Sequence, residues 1–392
     1  MDSKLLTQTK EAEMTNNLSN TIHAWCSKNL NEETIRELDH DPARVIKLYR
    51  DFTGNGWLES VNIFENPNTF RDLIEIGKIL SGYSSAISNV IGVNCVCAML
   101  LTTFGTDSQK EIGRKVLKGD ILTCFSLTEP DAGSDIGNLQ TTATLEGDHW
   151  VLQGKKYLAT GAAVADYILV VVRTNPDKPL NKGISLFLVP GNVHGIKLSP
   201  QQKIATNSFA SCEITFDSVR LPQEMVIGGQ DFGWGVITFA GAVERLMVAA
   251  SCVGLSRRIL EYLYEYTQHR MIQGQPLYDI QLINHQLADM AIKIKAADLL
   301  LGNAMELLTS GATPTVEICG AKVFASEMQQ EISMAAMKII GGRGYLKEYP
   351  VERWMREGLL SLYAGGTNEL QKNIIARNMQ KDYASKTKER NS

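Results

Sequence analysis

Two changes of hydrophobic rhythm, near residues 120 and 230, constrain this chain more than any composition value. Up to Gly119 the apolar residues recur at helical spacing. Ile35 to Tyr49 and Phe70 to Ile79 read as amphipathic helices, and Ala86 to Leu101 is apolar nearly all round, as a core helix is. From Asp120 to about Gly229 the pattern becomes short strands and turns. Trp150-Val-Leu precedes a turn at Gln153-Gly154, Tyr167 to Arg173 and Ile184 to Val189 are apolar and β-prone, and Cys212 to Phe216 alternates with period two before a turn at Asp217-Ser218. After Gly233 helical periodicity returns in Val236 to Gln268, Gln281 to Leu308 and Pro314 to Ile340. Helical, β, helical predicts an α+β fold of three units over 1–119, 120–229 and 230–392. A doubly wound βαβα sheet does not fit.

Several function classes drop out early. A net charge of -4 gives no footprint for nucleic acid, and 44% hydrophobic with 21% charged residues is ordinary for a globular chain. Ala86 to Leu101 carries Asn89 and Asn94 and is shorter than the roughly 20 apolar residues of a membrane span. The seven cysteines are scattered, which predicts buried thiols in a reducing, cytoplasmic compartment. Met1 to Asn17 is polar and expected to fray. The six histidines show no metal-ligand spacing and the serines no G-x-S-x-G, so neither a metal centre nor a serine nucleophile is expected.

Three motifs remain. Leu127-Thr-Glu-Pro-Asp-Ala-Gly-Ser-Asp135 sets the hydroxyls of Thr128 and Ser134 beside a proline and Gly133. It reads equally as a capped structural loop or as donors converging on a ligand. Gly341-Gly-Arg-Gly344 follows a helix instead of a strand, so it is no dinucleotide fingerprint; a helix C-cap or an anion-facing backbone fits it. Leu-Tyr-Ala-Gly-Gly-Thr-Asn-Glu-Leu-Gln, residues 362–371, has a Gly-Gly pair that lets backbone approach something closely, with no acid or nucleophile on the spot.

Together these motifs resemble the acyl-CoA dehydrogenase superfamily over nearly the whole chain. Thr128 to Asp135 is similar to its T-E-P-x-A-G-S-D signature. Gly341 to Pro350 with Arg353 and Arg356 is similar to the second signature, and Gly366 to Arg377 to the closing G-T-x-E-x-Q-x-x-x-x-A-R. The resemblance implies a helical N-domain, a β-barrel-like middle domain and a C-terminal four-helix bundle, assembled as a homotetramer around FAD. It implies flavin contacts from Leu127, Thr128, Gly133, Ser134, Leu158 and Thr160, with Ser134 also near substrate. It further implies Gly342, Thr367 and Glu369 in the cradle, and Arg270, Gln273 and Gln281 at the pyrophosphate and adenosine end of a neighbouring subunit.

The chemistry so implied needs a carboxylate to take the α-proton of a thioester, and donors for the developing enolate. Many relatives carry that acid immediately before the final G-T, where this chain has Gly365. Others carry it before an arginine on the first long C-domain helix, which here is Glu244-Arg245. Glu244 shares a helix face with Val248, Ser251 and Leu255, an apolar, small-residue stripe that should raise its pKa. Glu244 is therefore the expected base, the Gly365 N–H the oxyanion donor, and Arg245 a substrate-side residue that steadies the site. Three departures bear on specificity: a short Gly56–Asn68 stretch, Leu158 where an aromatic is common, and Gln273 in place of phenylalanine. The first two turn the expectation from straight-chain fatty acyl-CoA toward thioesters on a phosphopantetheinylated acyl carrier protein, with prolyl-carrier-protein dehydrogenases or oxidases as the branch of overall likeness. A short or branched-chain acyl-CoA dehydrogenase and an inactive FAD-binding scaffold are the alternatives. The electron acceptor is O2 or an electron-transfer flavoprotein.

Overall fold

A computed structural model of the chain describes residues 17–38, 41–59 and 67–391. The polar run before residue 17 and positions 60–66 of the Gly56–Asn68 stretch lie outside the described residues. The N-terminal helices are α1 (17–29), α2 (Glu32–Leu38), α3 (Pro42–Thr53), α4 (Pro67–Tyr83), α5 (Ser85–Phe104) and α6 (Asp107–Lys118). The single helix expected from Ile35 to Tyr49 is instead α2 and α3. α2 ends at Leu38 and Asp41 starts α3: its side chain accepts the Arg44 N–H at 3.0 Å, and Pro42 takes the first turn, where a missing N–H costs nothing. α5 is long and apolar enough to cross a membrane, yet most of it is buried inside the protein.

The middle region contains β1 (Thr123–Ser126), β2 (Thr142–Glu146), β3 (His149–Thr160), β4 (Tyr167–Arg173), β5 (Ile184–Pro190), β6 (Ile196–Gln201), β7 (Ser211–Pro222) and β8 (Val226–Ile227). The sheet order is β6-β7-β3-β2-β4-β5-β8, with β1 parallel to β4. Two sequence expectations fail here for one reason, which is that strands absorb irregular residues as bulges. Gly154, at φ 137, lies within β3 at a register shift and is not a turn. β7 runs on through Asp217 and Ser218, the latter at φ 54. β4 and β5 are apolar without alternation because both of their faces are covered. Ile168, Val170 and Val172 point into a core closed within the β region, while Leu169 and Val171 belong to the helical core.

The C-terminal part contains α7 (Gly233–His269), a hairpin of β9 (Met271–Ile272) and β10 (Gln275–Pro276), α8 (Gln281–Thr309), α9 (Thr315–Ile340), α10 (Val351–Gly358) and α11 (Asn368–Asn391). α7, α8, α9 and α11 pack as a bundle, and α7 also packs on α4 and α5. Seven cysteines are free and buried.

Candidate functional site

The Gly365-Gly366 turn lies against the middle of α7. Gly365 has φ 67 and Gly366 φ 92, a backbone conformation open to glycine and strained for other residues. A Cβ on Gly365 would stand 3.2 Å from Arg245 Cγ and 3.5 Å from the α7 backbone at Arg245. Two consecutive α7 residues grip this one residue. The Gly365 N–H donates to Glu244 Oε1 at 3.1 Å, and its carbonyl accepts from Arg245 Nε at 3.1 Å and Gln371 Nε2 at 2.9 Å. The carboxyl group of Glu244 is enclosed by protein although the residue keeps some accessible surface. Burial raises its pKa above the ordinary carboxylate range; the Gly365 N–H, Arg245 and Lys322 pull the other way without cancelling it. Arg245 thus spends its Nε on the loop.

A second group of expected residues gathers at the edge of the β region. Lys156 on β3 donates to Leu127 O at 2.9 Å, and the Tyr157 N–H donates to Thr128 O at 2.8 Å, so the Leu127–Asp135 loop runs beside β3. Beneath it Glu129 accepts from Lys156 Nζ at 2.8 Å and from the Gln140 and Thr141 N–H groups; Glu129, Lys156 and Thr141 are buried. Among the described residues the Thr128 and Ser134 hydroxyls have no protein partner, and Ser134 and Gly133 are exposed. Leu158 sits in the second bulge of β3 at φ 57 and is 54% exposed, an apolar side chain held outward at some conformational cost. Two residues on, Thr160 Oγ1 meets Ser211 Oγ at 3.0 Å. Thr367 Oγ1 accepts the Leu370 N–H, capping α11 while its own proton stays available; Glu369 is exposed in the first turn of α11. Gly342 is exposed, and a Cβ there would meet nothing within 4 Å.

Arg270, Gln273 and Gln281 form a third group. Arg270 ends α7, Gln273 (φ 48) makes the tip of the β9–β10 hairpin with Gly274, and Gln281 opens α8. Arg270 is 26 residues from Glu244 along one helix, about 39 Å at 1.5 Å per residue. One copy of the chain therefore does not bring the third group to the first.

The motif reading missed the residues that support these loops. Lys322, Asn368 and Gln371 are buried beneath the Gly-Gly turn, and the Glu129–Lys156 pair is buried beneath the first loop. A signal for Lys322 exists: Lys322, Ser326, Gln329 and Ser333 recur at helical spacing, a polar stripe that reads by default as a solvent face.

Residues 124–219 match the acyl-CoA dehydrogenase middle domain and residues 231–380 its C-terminal domain. The chain is 35% identical over 285 residues to the short-chain specific acyl-CoA dehydrogenase of Bos taurus mitochondria, covering 72% of this chain and 69% of that one. The structure of butyryl-CoA dehydrogenase from Megasphaera elsdenii superposes with a TM-score of 0.88 at 27% identity, over 93% of this chain and 98% of that one. The prolyl acyl carrier protein oxidase AnaB shares the fold at a TM-score of 0.84 and 23% identity, over 93% and 98% of the two chains.

Proposed function

This chain belongs to the acyl-CoA dehydrogenase family, and on that premise we propose that it oxidises a compact acyl thioester with FAD, using Glu244 as the base. The observation that carries this reading is the Glu244 carboxylate seated on the Gly365 N–H, at the turn where the chain itself has no acid. The cofactor fits the residues present. The hydroxyls of Thr128 and Ser134 are uncommitted, Ser126 Oγ is buried without a partner just before Leu127, and Gly133 and Gly342 leave open space where a side chain would stand. Leu127, Thr128, Gly133, Ser134, Leu158 and Thr160 would hold its ring side, with Gly342, Thr367 and Glu369 completing the cradle. Arg270, Gln273 and Gln281 of a second copy would hold the far end, given the length of α7. Exposed Leu282, Ile292 and Leu299 on α8 suit burial against such a copy, in keeping with a homotetramer.

Bound FAD supplies an acceptor for the hydride that leaves the β-carbon. The chain's own task is the α-proton. A thioester carbonyl seated at Gly365 takes over that N–H, and the released Glu244 carboxylate accepts the α-proton as the Cα=Cβ bond forms. The donor then faces the enolate oxygen, where charge develops. Desolvation that raises the pKa of Glu244 makes its carboxylate a stronger base than one in water.

For the acyl group we propose L-proline on a phosphopantetheinylated acyl carrier protein, oxidised to a pyrroline or pyrrole thioester in the cytoplasm with O2 or an electron-transfer flavoprotein as acceptor. Polar Ser88 and Ser251, 3.4 Å apart where α5 meets α7, support a small polar acyl group, Ser251 lying about two turns along α7 from Glu244. A short or branched-chain acyl-CoA is the second reading, favoured by 35% identity to a short-chain enzyme. Anaerobic flavin reduction by prolyl-carrier protein and by butyryl- and isovaleryl-CoA, side by side, separates them. Glu244→Gln should retain FAD and slow reduction by about 10²–10⁴-fold; reduction at the wild-type rate would overturn the assignment of the base.

A further inference from the structure

Lys322 is a buried cation with no carboxylate in contact among the described residues. Its ammonium group has three N–H bonds and three acceptors: Asn368 Oδ1 at 2.7 Å, Gly366 O at 2.9 Å and Leu362 O at 3.3 Å. All three belong to the segment that carries Gly365 and Thr367. The rest of this α9 face grips the same segment. Cys319 Sγ meets Gln371 Oε1 at 3.1 Å, Ser326 Oγ and the Asn368 side chain bond to each other, and Ser361 Oγ donates to Gln329 Oε1 at 3.4 Å. Neutral donors could make such bonds. Burying a charge without a contacting counter-ion is costly, so stability alone does not account for a lysine at this position.

We propose that Lys322 is a positioning residue for the Glu244–Gly365 pair: by holding Leu362 O on one side of Gly365 and Gly366 O and Asn368 Oδ1 on the other, it anchors the turn that keeps the Gly365 N–H on Glu244. The groups facing Glu244 are Arg245 on its own helix, Lys322 on α9, Cys97 on α5 and the Gly365 N–H. Those facing Lys322 are Cys252 and Arg245 on α7, Glu244, and Glu369 on α11. Burial lowers the pKa of Lys322 to about 8.

This proposal rests on Glu244 being the base, but its test uses no thioester. In the FAD-loaded protein, the infrared stretch of the protonated Glu244 carboxyl is assigned by its loss in Glu244→Gln and titrated in wild type, Lys322→Met and Lys322→Gln. Hydrogen exchange of segment 362–371 is followed in parallel. Removing the positive charge disfavours the carboxylate, so the midpoint should move to higher pH in both variants. Exchange should quicken at least tenfold in Lys322→Met and less in Lys322→Gln, which keeps a donor. A filler of space predicts an unchanged midpoint in whichever variant folds, and that result overturns the proposal. Failure of the base assignment appears elsewhere, as wild-type flavin reduction in Glu244→Gln.

Discussion

Replacing Gly365 with alanine adds one methyl group at the point where the turn meets α7. An L-residue at φ 67 costs about 1–2 kcal/mol relative to glycine. The new Cβ stands 3.2 Å from Arg245 Cγ, which can give slightly, and 3.5 Å from the Arg245 Cα and N, which are fixed by the helix. Relief must come from the turn moving away from α7, and the bond most exposed to that shift is the 3.1 Å contact of the Gly365 N–H with Glu244. A hydrogen bond to a charged group contributes about 1.5–3 kcal/mol. Gly365→Ala should therefore lose about 1–2 kcal/mol of stability if the turn holds, and about 3–5 kcal/mol if the contact breaks. Losing one oxyanion donor slows reaction by about 10²–10³-fold, so flavin reduction should fall by that amount with cofactor retained. The assays are thermal unfolding of the FAD-loaded protein and anaerobic stopped-flow reduction. Stability within about 0.5 kcal/mol of wild type, with reduction slowed less than about threefold, would refute the reasoning, since ordinary surface substitutions have effects that small.

Three further outcomes can be checked. The raised pKa of Glu244 means the fold holds a proton there that the unfolded chain releases, so wild-type stability contributed by this group declines as pH rises from 4.5 through the folded value. Glu244→Gln should accordingly have a higher Tm than wild type at pH 7.5, with the gap closing toward pH 4; an unchanged gap contradicts the shift. For Glu129, burial raises the carboxyl pKa, but Lys156 and the Gln140 N–H outweigh it and the net shift is downward. Its contribution is present above 4.5 and lost as pH falls through the lower folded value, and Glu129→Gln, which strands a buried Lys156, should cost about 3–5 kcal/mol at pH 7 in denaturant unfolding. Ser134→Ala should release FAD several-fold more readily on dilution while apoprotein Tm stays within about 0.5 kcal/mol equivalent, because the hydroxyl has no protein partner among the described residues.

The three-part layout was legible because burial writes itself into hydrophobic period. Tyr167–Arg173 and Ile184–Val189 stand where their apolar runs placed them, since both faces of β4 and β5 are covered. Boundaries set by single side chains were not: Asp41 caps a new helix inside an apparently continuous one, and β7 carried Ser218 in a bulge where composition suggested a turn. At the candidate site, the Gly-Gly pair announced a close approach, and the missing acid at Gly365 directed attention to Glu244, which lies 3.1 Å from the Gly365 N–H. What it approached was not legible, because the contact at Arg245 joins positions 120 residues apart. Lys322 was hidden for a related reason. A polar stripe on a helix looks solvated until the loop that covers it is in place, and no local pattern reports that cover.

β4 has a consequence of another kind. Its alternate residues belong to two different cores, so this seven-residue strand is a party wall shared by the β region and the helices. Neither side can melt without exposing the other's lining. Heat therefore finds no seam along which to peel the loop-bearing β region from the helices that carry Glu244, and the two should be lost in one cooperative event.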